Sequence, residues 1–182
     1  MALSSTAYVV LGMLALGPRS GYDIKQLADV STRHFWAISY GQIYPELSRL
    51  AKAGLVKAED ASRGTRHRTI YHLTDPGRRL LKAWVANPEL EKIEIRDEML
   101  LKLFFADAMS RKDTVRHLDA MRRRHEQIAA GLRETEPMAA SQPHRMKYEV
   151  LKFGVALHEW CADWYSKLGR DLQSEWRAGN DV

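Results

Sequence analysis

Residues 39–50 read SYGQIYPELSRL, a helix-like stretch with a proline set where the helix should already be running. Ser39-Tyr40-Gly41-Gln42 has the Ser-x-x-Gln form of a capping box, which satisfies orphan N–H groups at a helix start. Behind it Ile43, Leu47, Leu50 and Ala51 form one apolar stripe, closed by Gly54, a residue suited to the left-handed position after a helix. Pro45 has no N–H for the Gly41 carbonyl and its ring crowds that carbonyl, so the turn from Tyr40 to Tyr44 is expected to be loosened and held at its own angle. The half before the proline is polar and aromatic and the half after it amphipathic, which predicts a helix that presents one end and buries the other.

On the N-terminal side, Val9, Val10, Met13, Leu14 and Leu16 recur at helical spacing until Gly17-Pro18 stops them. Ser20-Gly21-Tyr22-Asp23 is a second capping box and opens a short helix through Ile24, Leu27 and Ala28. On the C-terminal side, residues 55–58 and 68–73 have the composition of short strands, joined by a polar segment centred on Ser62-Arg63-Gly64. The result is a hairpin with a basic tip of Arg63, Arg66, His67 and Arg68. Thr74-Asp75-Pro76-Gly77 then caps a fourth helix through Leu80, Leu81 and Trp84, with proline early, where its missing N–H does least harm.

Asn87-Pro88 marks a boundary, so the chain is divided into domains of residues 1–86 and 87–182. Beyond it no strand is expected. One helical segment covers about residues 93–108; a second starts at Ser110 with Asp113 as cap partner and runs through Val115, Leu118, Ile128 and Leu132. Pro137 and Pro143 are expected to bracket a loop before a last helix over about residues 145–177. One stripe of that helix runs Tyr148, Leu151, Val155, His158, Ala162, Tyr165, Leu172 and Trp176; another runs Val150, Phe153, Leu157, Trp160, Trp164 and Leu168. A helix apolar on two faces needs two packing surfaces, so one is assigned to the same chain and the other to a second copy, coiled-coil fashion.

Composition narrows the function. Residues 1–84 carry 12 Lys and Arg against 6 Asp and Glu, whereas residues 85–182 carry 16 against 17. The basic surplus belongs to the N-terminal part and suits a polyanionic partner. The apolar run 7–16 has no Lys or Arg before it and is short for a membrane span, and the one cysteine, Cys161, allows no intramolecular disulfide, so a cytoplasmic protein without membrane association is expected. There is no glycine-rich phosphate loop and no nucleophile with an evident base, which argues against an enzyme. His158 and Cys161 share a side of the last helix without a further clustered pair, so no metal or cofactor is assigned. Met121-Arg122-Arg123-Arg124-His125 is read as the solvated face of an amphipathic helix.

Three helices, a two-stranded hairpin and a helix in a basic half-chain give the order of a winged helix-turn-helix: a mainly α protein with a small β-hairpin. In that fold the third helix enters the major groove of double-stranded DNA by its N-terminal residues and the hairpin, or wing, lies against phosphates or the adjoining minor groove. Gln42 then has two assignments, an amide paired with a base edge or a cap bonded back to Ser39. Ser39, Tyr40 and Tyr44 are candidates for base or phosphate contact, with packing on the second helix as the alternative for Tyr44. Pro45 sets their angle, Arg49 and Lys52 are placed for phosphates, and Arg63, Arg66 and Arg68 give the wing its charge.

The chain resembles the PadR family of bacterial transcriptional regulators, in the branch with a long helical C-terminal domain that also contains virulence-gene activators. The matching pieces are Leu11-Gly12-Met13-Leu14, Gly21-Tyr22-Asp23-Ile24, Gly41-Gln42-Ile43-Tyr44-Pro45-Glu46-Leu47, Arg49-Leu50, Gly54-Leu55-Val56 and Tyr71-His72-Leu73-Thr74-Asp75-Pro76-Gly77-Arg78. The resemblance implies a homodimer held by C-terminal helices and reading a pseudo-palindromic operator. It also implies a repressor, or alternatively an activator, that answers to a small molecule such as an aromatic or phenolic compound. Trp160 and Trp164, with Phe153 and Leu157, are assigned to the dimer seam, with an effector pocket as the alternative. A winged helix used only for protein docking is the competing reading; a basic recognition helix and wing are what docking does not require.

Overall fold

The structure, a computed structural model, describes residues 3–61, 68–89 and 96–178. Its contacts divide the chain into two compact units, Met1–Ile93 and Glu94–Val182.

In the first unit α1 (Ser5–Ala15) is the central element, touching α2 (Gly21–Ser31), α3 (Tyr40–Lys52), α4 (Asp75–Ala86) and β2 (Thr69–Leu73). A helix surrounded on most sides must be apolar on most sides, and Ala7, Val10, Leu11, Met13 and Leu14 are all buried. They meet Ile24 and Ala28 of α2 and Ile43, Leu47 and Leu50 of α3 in one core. Each such aliphatic side chain taken from water contributes about 1.5–3 kcal/mol. The Ser20 box of α2 forms: the Ser20 hydroxyl accepts from the Asp23 N–H at 3.2 Å, while Asp23 accepts from the Ser20 N–H at 3.0 Å.

The end of α3 turns the chain into the hairpin. Gly54 takes φ +69°, which an L side chain resists. The Gly54 N–H donates to the Ala51 carbonyl at 3.0 Å and the Leu55 N–H to the Leu50 carbonyl at 2.9 Å, a complete Schellman closure. β1 (Val56–Asp60) then pairs antiparallel with β2, Val56 opposite Leu73 and Asp60 opposite Thr69. An isolated bridge adds Arg19 to the outer side of β2, its N–H donating to the Tyr71 carbonyl at 3.1 Å and its carbonyl accepting from the Tyr71 N–H at 2.8 Å.

Leu55 also sets the start of α4. Its carbonyl accepts from the Thr74 N–H at 3.2 Å and from the Thr74 hydroxyl at 2.8 Å. The same carbonyl lies so close to Gly77 that a Cβ there would stand 2.1 Å from it. Trp84, expected on the apolar stripe of α4, stacks on Tyr8 of α1 at 4.6 Å between ring centroids yet stays half exposed.

The second unit contains α5 (Glu98–Phe104), a single 3-10 turn (Ala106–Ala108), α6 (Arg111–Ala140) and α7 (Arg145–Ala178). The expected segment 93–108 is thus a shorter helix: Asp97 caps α5, accepting from the Met99 and Leu100 N–H groups at 2.8 and 3.2 Å, and residues 93–95 lie outside the described ones. Ser110 caps α6 as expected, accepting from the Asp113 N–H at 3.1 Å. The loop expected from Pro137 to Pro143 is a correction: α6 runs through Pro137 to Ala140. The missing N–H removes one bond near the helix end, the Ser141 N–H still reaches the Pro137 carbonyl at 3.3 Å, and packing extends that far, since the Tyr148 hydroxyl donates to Glu136 at 3.0 Å.

α6 and α7 form the main contact of this unit, with Leu118, Met121 and Tyr165 at its core. Arg122 pairs with Asp119 and Glu126, and Arg123 with Asp119, on the solvent side, while Met121 and His125 of the same run are buried. His125 Nδ1 lies 2.8 Å from His158 Nδ1, so one ring donates to the other, and burial lowers the His125 pKa. Burial also pushes the neighbouring Tyr165 hydroxyl up to about 12.

Gly77→Ala forces its new methyl against the Leu55 carbonyl and is expected to destabilise the first unit by about 1–3 kcal/mol. Urea denaturation followed by circular dichroism checks this; unchanged stability would mean that β1 and α4 move apart at no cost.

Candidate nucleic-acid interface

α3 is sharply two-sided. Ile43, Glu46, Leu47 and Leu50 are buried, while Ser39, Tyr40, Gln42, Tyr44, Pro45, Arg49 and Lys52 all face solvent. The helix stays continuous from Tyr40 to Lys52 across Pro45. Pro45 thus sits on the open face, six residues after the cap, where the core anchors the helix behind it.

Gln42 closes the cap. The Ser39 N–H donates to Gln42 Oε1 at 2.9 Å and the Ser39 hydroxyl to the same oxygen at 3.1 Å. With Oε1 engaged, Gln42 cannot use both ends of its amide on one adenine; it presents its Nε2 donors. The cap and a one-sided contact to a base acceptor are compatible, so the two assignments are not exclusive.

The aromatic side chains extend this face onto α2. Tyr22 stacks on Tyr40 at 6.3 Å and Tyr40 on Tyr44 at 6.2 Å, and Lys25 Nζ stands 5.8 Å from the centre of the Tyr40 ring. The Tyr44 ring overlies Gly21, where a Cβ would come within 2.6 Å of it. Tyr44 thus packs on α2, the alternative reading, and keeps half its surface in water. Tyr22 and Lys25 were missed by sequence reasoning. The available signal was an aromatic residue on the polar side of α2, in its first turn, where nothing in the core requires it.

Three basic residues of this face have acidic partners, Lys25 pairing with Asp29 one turn along α2. Arg49 reaches Glu46 at 3.3 Å, and Glu46, only 4% exposed, accepts from the hydroxyl of Ser4 at 2.5 Å. Ser4 is also the cap of α1, so this carboxylate joins α3 to the start of α1. Arg68 reaches Asp23 at 2.7 Å. Burial raises the Asp23 pKa, but hydrogen bonds from Ser20 and Arg68 outweigh it and hold the carboxyl below its ordinary value. Arg63 and Arg66, the expected wing tip, lie outside the described residues.

In the second unit the stripe Val150, Phe153, Leu157, Trp160 and Trp164 is exposed, Phe153 and Trp160 at 66% and 63%. Leu168, expected on this stripe, packs instead with Leu118, Met121 and Tyr165. Leu168 follows Trp164 by a second consecutive four-residue step, which turns it about 40° towards Leu172 on the α6 side. A surface recess lined by Met99, His117, Met121 and Arg124 contains none of the expected effector aromatics. Among the described residues no group of three His, Cys, Asp or Glu is arranged to hold a metal, and no helix is long and apolar enough to cross a membrane.

Residues 10–83 match the transcriptional regulator PadR-like family, and residues 95–173 match the virulence activator alpha C-term family. The negative transcriptional regulator PadR of Bacillus subtilis is 29% identical over 173 residues, covering 88% of this chain and 93% of its own. The crystal structure of Bacillus subtilis PadR in complex with operator DNA is similar with a TM-score of 0.83 and 26% identity, covering 92% of this chain and 98% of that one. That protein's complex with p-coumaric acid shares the fold, with a TM-score of 0.75, 23% identity and coverages of 94% and 99%.

Replacing Gln42 separates the cap from what else its side chain does. Gln42→Ala is expected to cost about 1 kcal/mol, while Gln42→Glu keeps an acceptor for the Ser39 N–H at a helix N-terminus and holds near wild-type stability. Thermal melts of both variants check this, and equal losses would show that the bond to Ser39 contributes nothing.

Proposed function

We propose that this chain, which belongs to the PadR-like family of transcriptional regulators, is a homodimeric, operator-binding repressor whose grip on DNA is relieved by a small aromatic or phenolic compound. The observation that carries the reading is the division of α3: an apolar back locked in the core and a polar, aromatic N-terminal half in solvent. Such a helix end fits the major groove, with Ser39, Tyr40, Gln42 and Tyr44 towards base edges and phosphates and Pro45 shaping their approach. Arg49 and Lys52, a turn or more further along, neutralise backbone phosphates, and Arg63 and Arg66 of the wing do the same beside the groove.

The first unit is the DNA-binding domain and the second holds the dimer. The exposed row Val150, Phe153, Leu157, Trp160 and Trp164 is spaced for knobs-into-holes packing against a second α7. Two recognition helices then read half-sites about 34 Å apart on a pseudo-palindrome. Repression is favoured over activation because the Bacillus subtilis relative is a negative regulator. The phenolic effector is carried over from that relative's complex with p-coumaric acid. The reading involves no catalytic step and no cofactor, and it places the protein in the cytoplasm.

Recovery of bound genomic fragments, followed by binding isotherms at several salt concentrations, tests the reading; failure to enrich any sequence would favour a docking module. Arg63→Ala with Arg66→Ala should weaken binding to all duplexes and flatten the salt slope by about 0.9 for each lost phosphate contact. An unchanged slope removes the wing tip from the phosphates. Phe153→Asp with Trp160→Asp should turn the dimer into a monomer in sedimentation and reduce operator affinity at least roughly tenfold; a dimer that persists moves the seam elsewhere.

A further inference from the structure

We propose that Asp23 and Arg68 form a tether that sets the angle of the wing, which makes Asp23 a positioning residue for DNA binding and Arg68 its anchor rather than a phosphate ligand. This rests on the reading that the wing meets DNA. Arg68 stands one residue before β2, where its carbonyl accepts from the Ala61 N–H at 2.8 Å and continues the hairpin past the Asp60–Thr69 pair. Its guanidinium donates to Asp23 Oδ2 at 2.7 Å. That oxygen already accepts from the Ser20 N–H at 3.0 Å and the Ser20 hydroxyl at 2.7 Å. Asp23 is therefore held by the cap of α2 and cannot follow Arg68 away without opening the helix start.

The geometry explains why a second attachment matters. The hairpin is also fixed to the segment before α2 through the Arg19–Tyr71 bridge. One backbone bridge is a pivot. A second point at Arg68, three residues before Tyr71 and roughly 10 Å away at strand spacing, turns the pivot into a direction. Both attachments lead to the start of α2, Arg19 just before it and Asp23 in its first turn, and Tyr22, next to Asp23, belongs to the stack with Tyr40 and Tyr44. The wing is thereby referred to the face of α2 and α3 that is offered to the groove.

A carboxylate on a DNA-facing surface repels phosphates unless a cation offsets it, and this opposition gives the test its sign. Asp23→Asn retains an acceptor for the Ser20 N–H and so spares the cap while removing the charge that holds the Arg68 guanidinium, and Arg68→Gln leaves the cap untouched altogether. Both variants and the double variant would be compared with the full-length wild type on the duplex recovered from genomic fragments, by anisotropy and by hydroxyl-radical footprinting. If the tether acts, each single change weakens affinity roughly fivefold, the double change is no worse, and protection is lost at the flanks under the wings but kept at the major-groove half-sites. A fold defect alone would erode the whole footprint evenly. Tighter binding by Asp23→Asn, as expected if the carboxylate only withholds Arg68 from a phosphate, overturns the proposal, and so do additive losses. Wild-type protein without flank protection refutes wing contact itself; flank protection that survives in Asp23→Asn refutes only the tether.

Discussion

Ile43, Leu47 and Leu50 bury one side of α3 against α1, and this burial decides what the other side can be. A 3.6-residue period allows no freedom in the matter: once those residues face inward, Gln42, Tyr44, Arg49 and Lys52 face outward, whereas Tyr40, in line with Ile43 and Leu47, is exposed at the open first turn. The buried Glu46 adds direction to an otherwise greasy contact, because its bond to Ser4 ties α3 to the first turn of α1. Apolar packing is largely non-directional, whereas a hydrogen bond from the cap of one helix to a side chain inside another fixes position along the axis. The open face of α3 is therefore held still by groups that never meet the ligand.

The helix caps in this unit have second uses. Gln42 closes α3 and keeps its Nε2 end on the exposed face; Asp23 closes α2 and receives Arg68. Leu55 follows the same pattern at the other end of α3, where the residue that completes the Schellman closure also accepts the two Thr74 donors that start α4. Short elements in a small unit leave many orphan backbone groups, and sharing partners among them satisfies several with few side chains. Asp23 thereby ties the start of α2 to the hairpin, and Leu55 ties the end of α3 to the start of α4.

The second unit has a different logic. α7 hides Val155, Ala162 and Tyr165 against α6 and leaves Phe153 and Trp160 in water. Exposed aromatics in a row on a helix of that length are costly for a lone chain in water and are what a second copy would cover. Within the hairpin of α6 and α7, the buried His125–His158 contact puts a polar pair where aliphatic packing would otherwise serve.

Most of the element order was legible in the sequence, because capping boxes, Gly54, Pro76 and the apolar periods are local signals that bonds within a few residues make or break. The open face of α3 was legible too, since the period that buries Ile43 and Leu47 exposes Gln42 and Tyr44. What local signals could not carry was any contact between residues distant in the chain. Arg68 has the composition of a wing residue, and only the fold brings it to Asp23; Tyr22 looks like an ordinary first-turn residue until α3 sets Tyr40 beside it. Pro137 shows the converse, a local breaker overridden because the packing of α6 on α7 outweighs one lost bond. The sequence by itself determined the element order and the buried and open sides of α3, through local caps and periodicity; the tertiary structure alone decided which charges pair and which rings stack, because those depend on distances that no spacing along the chain encodes.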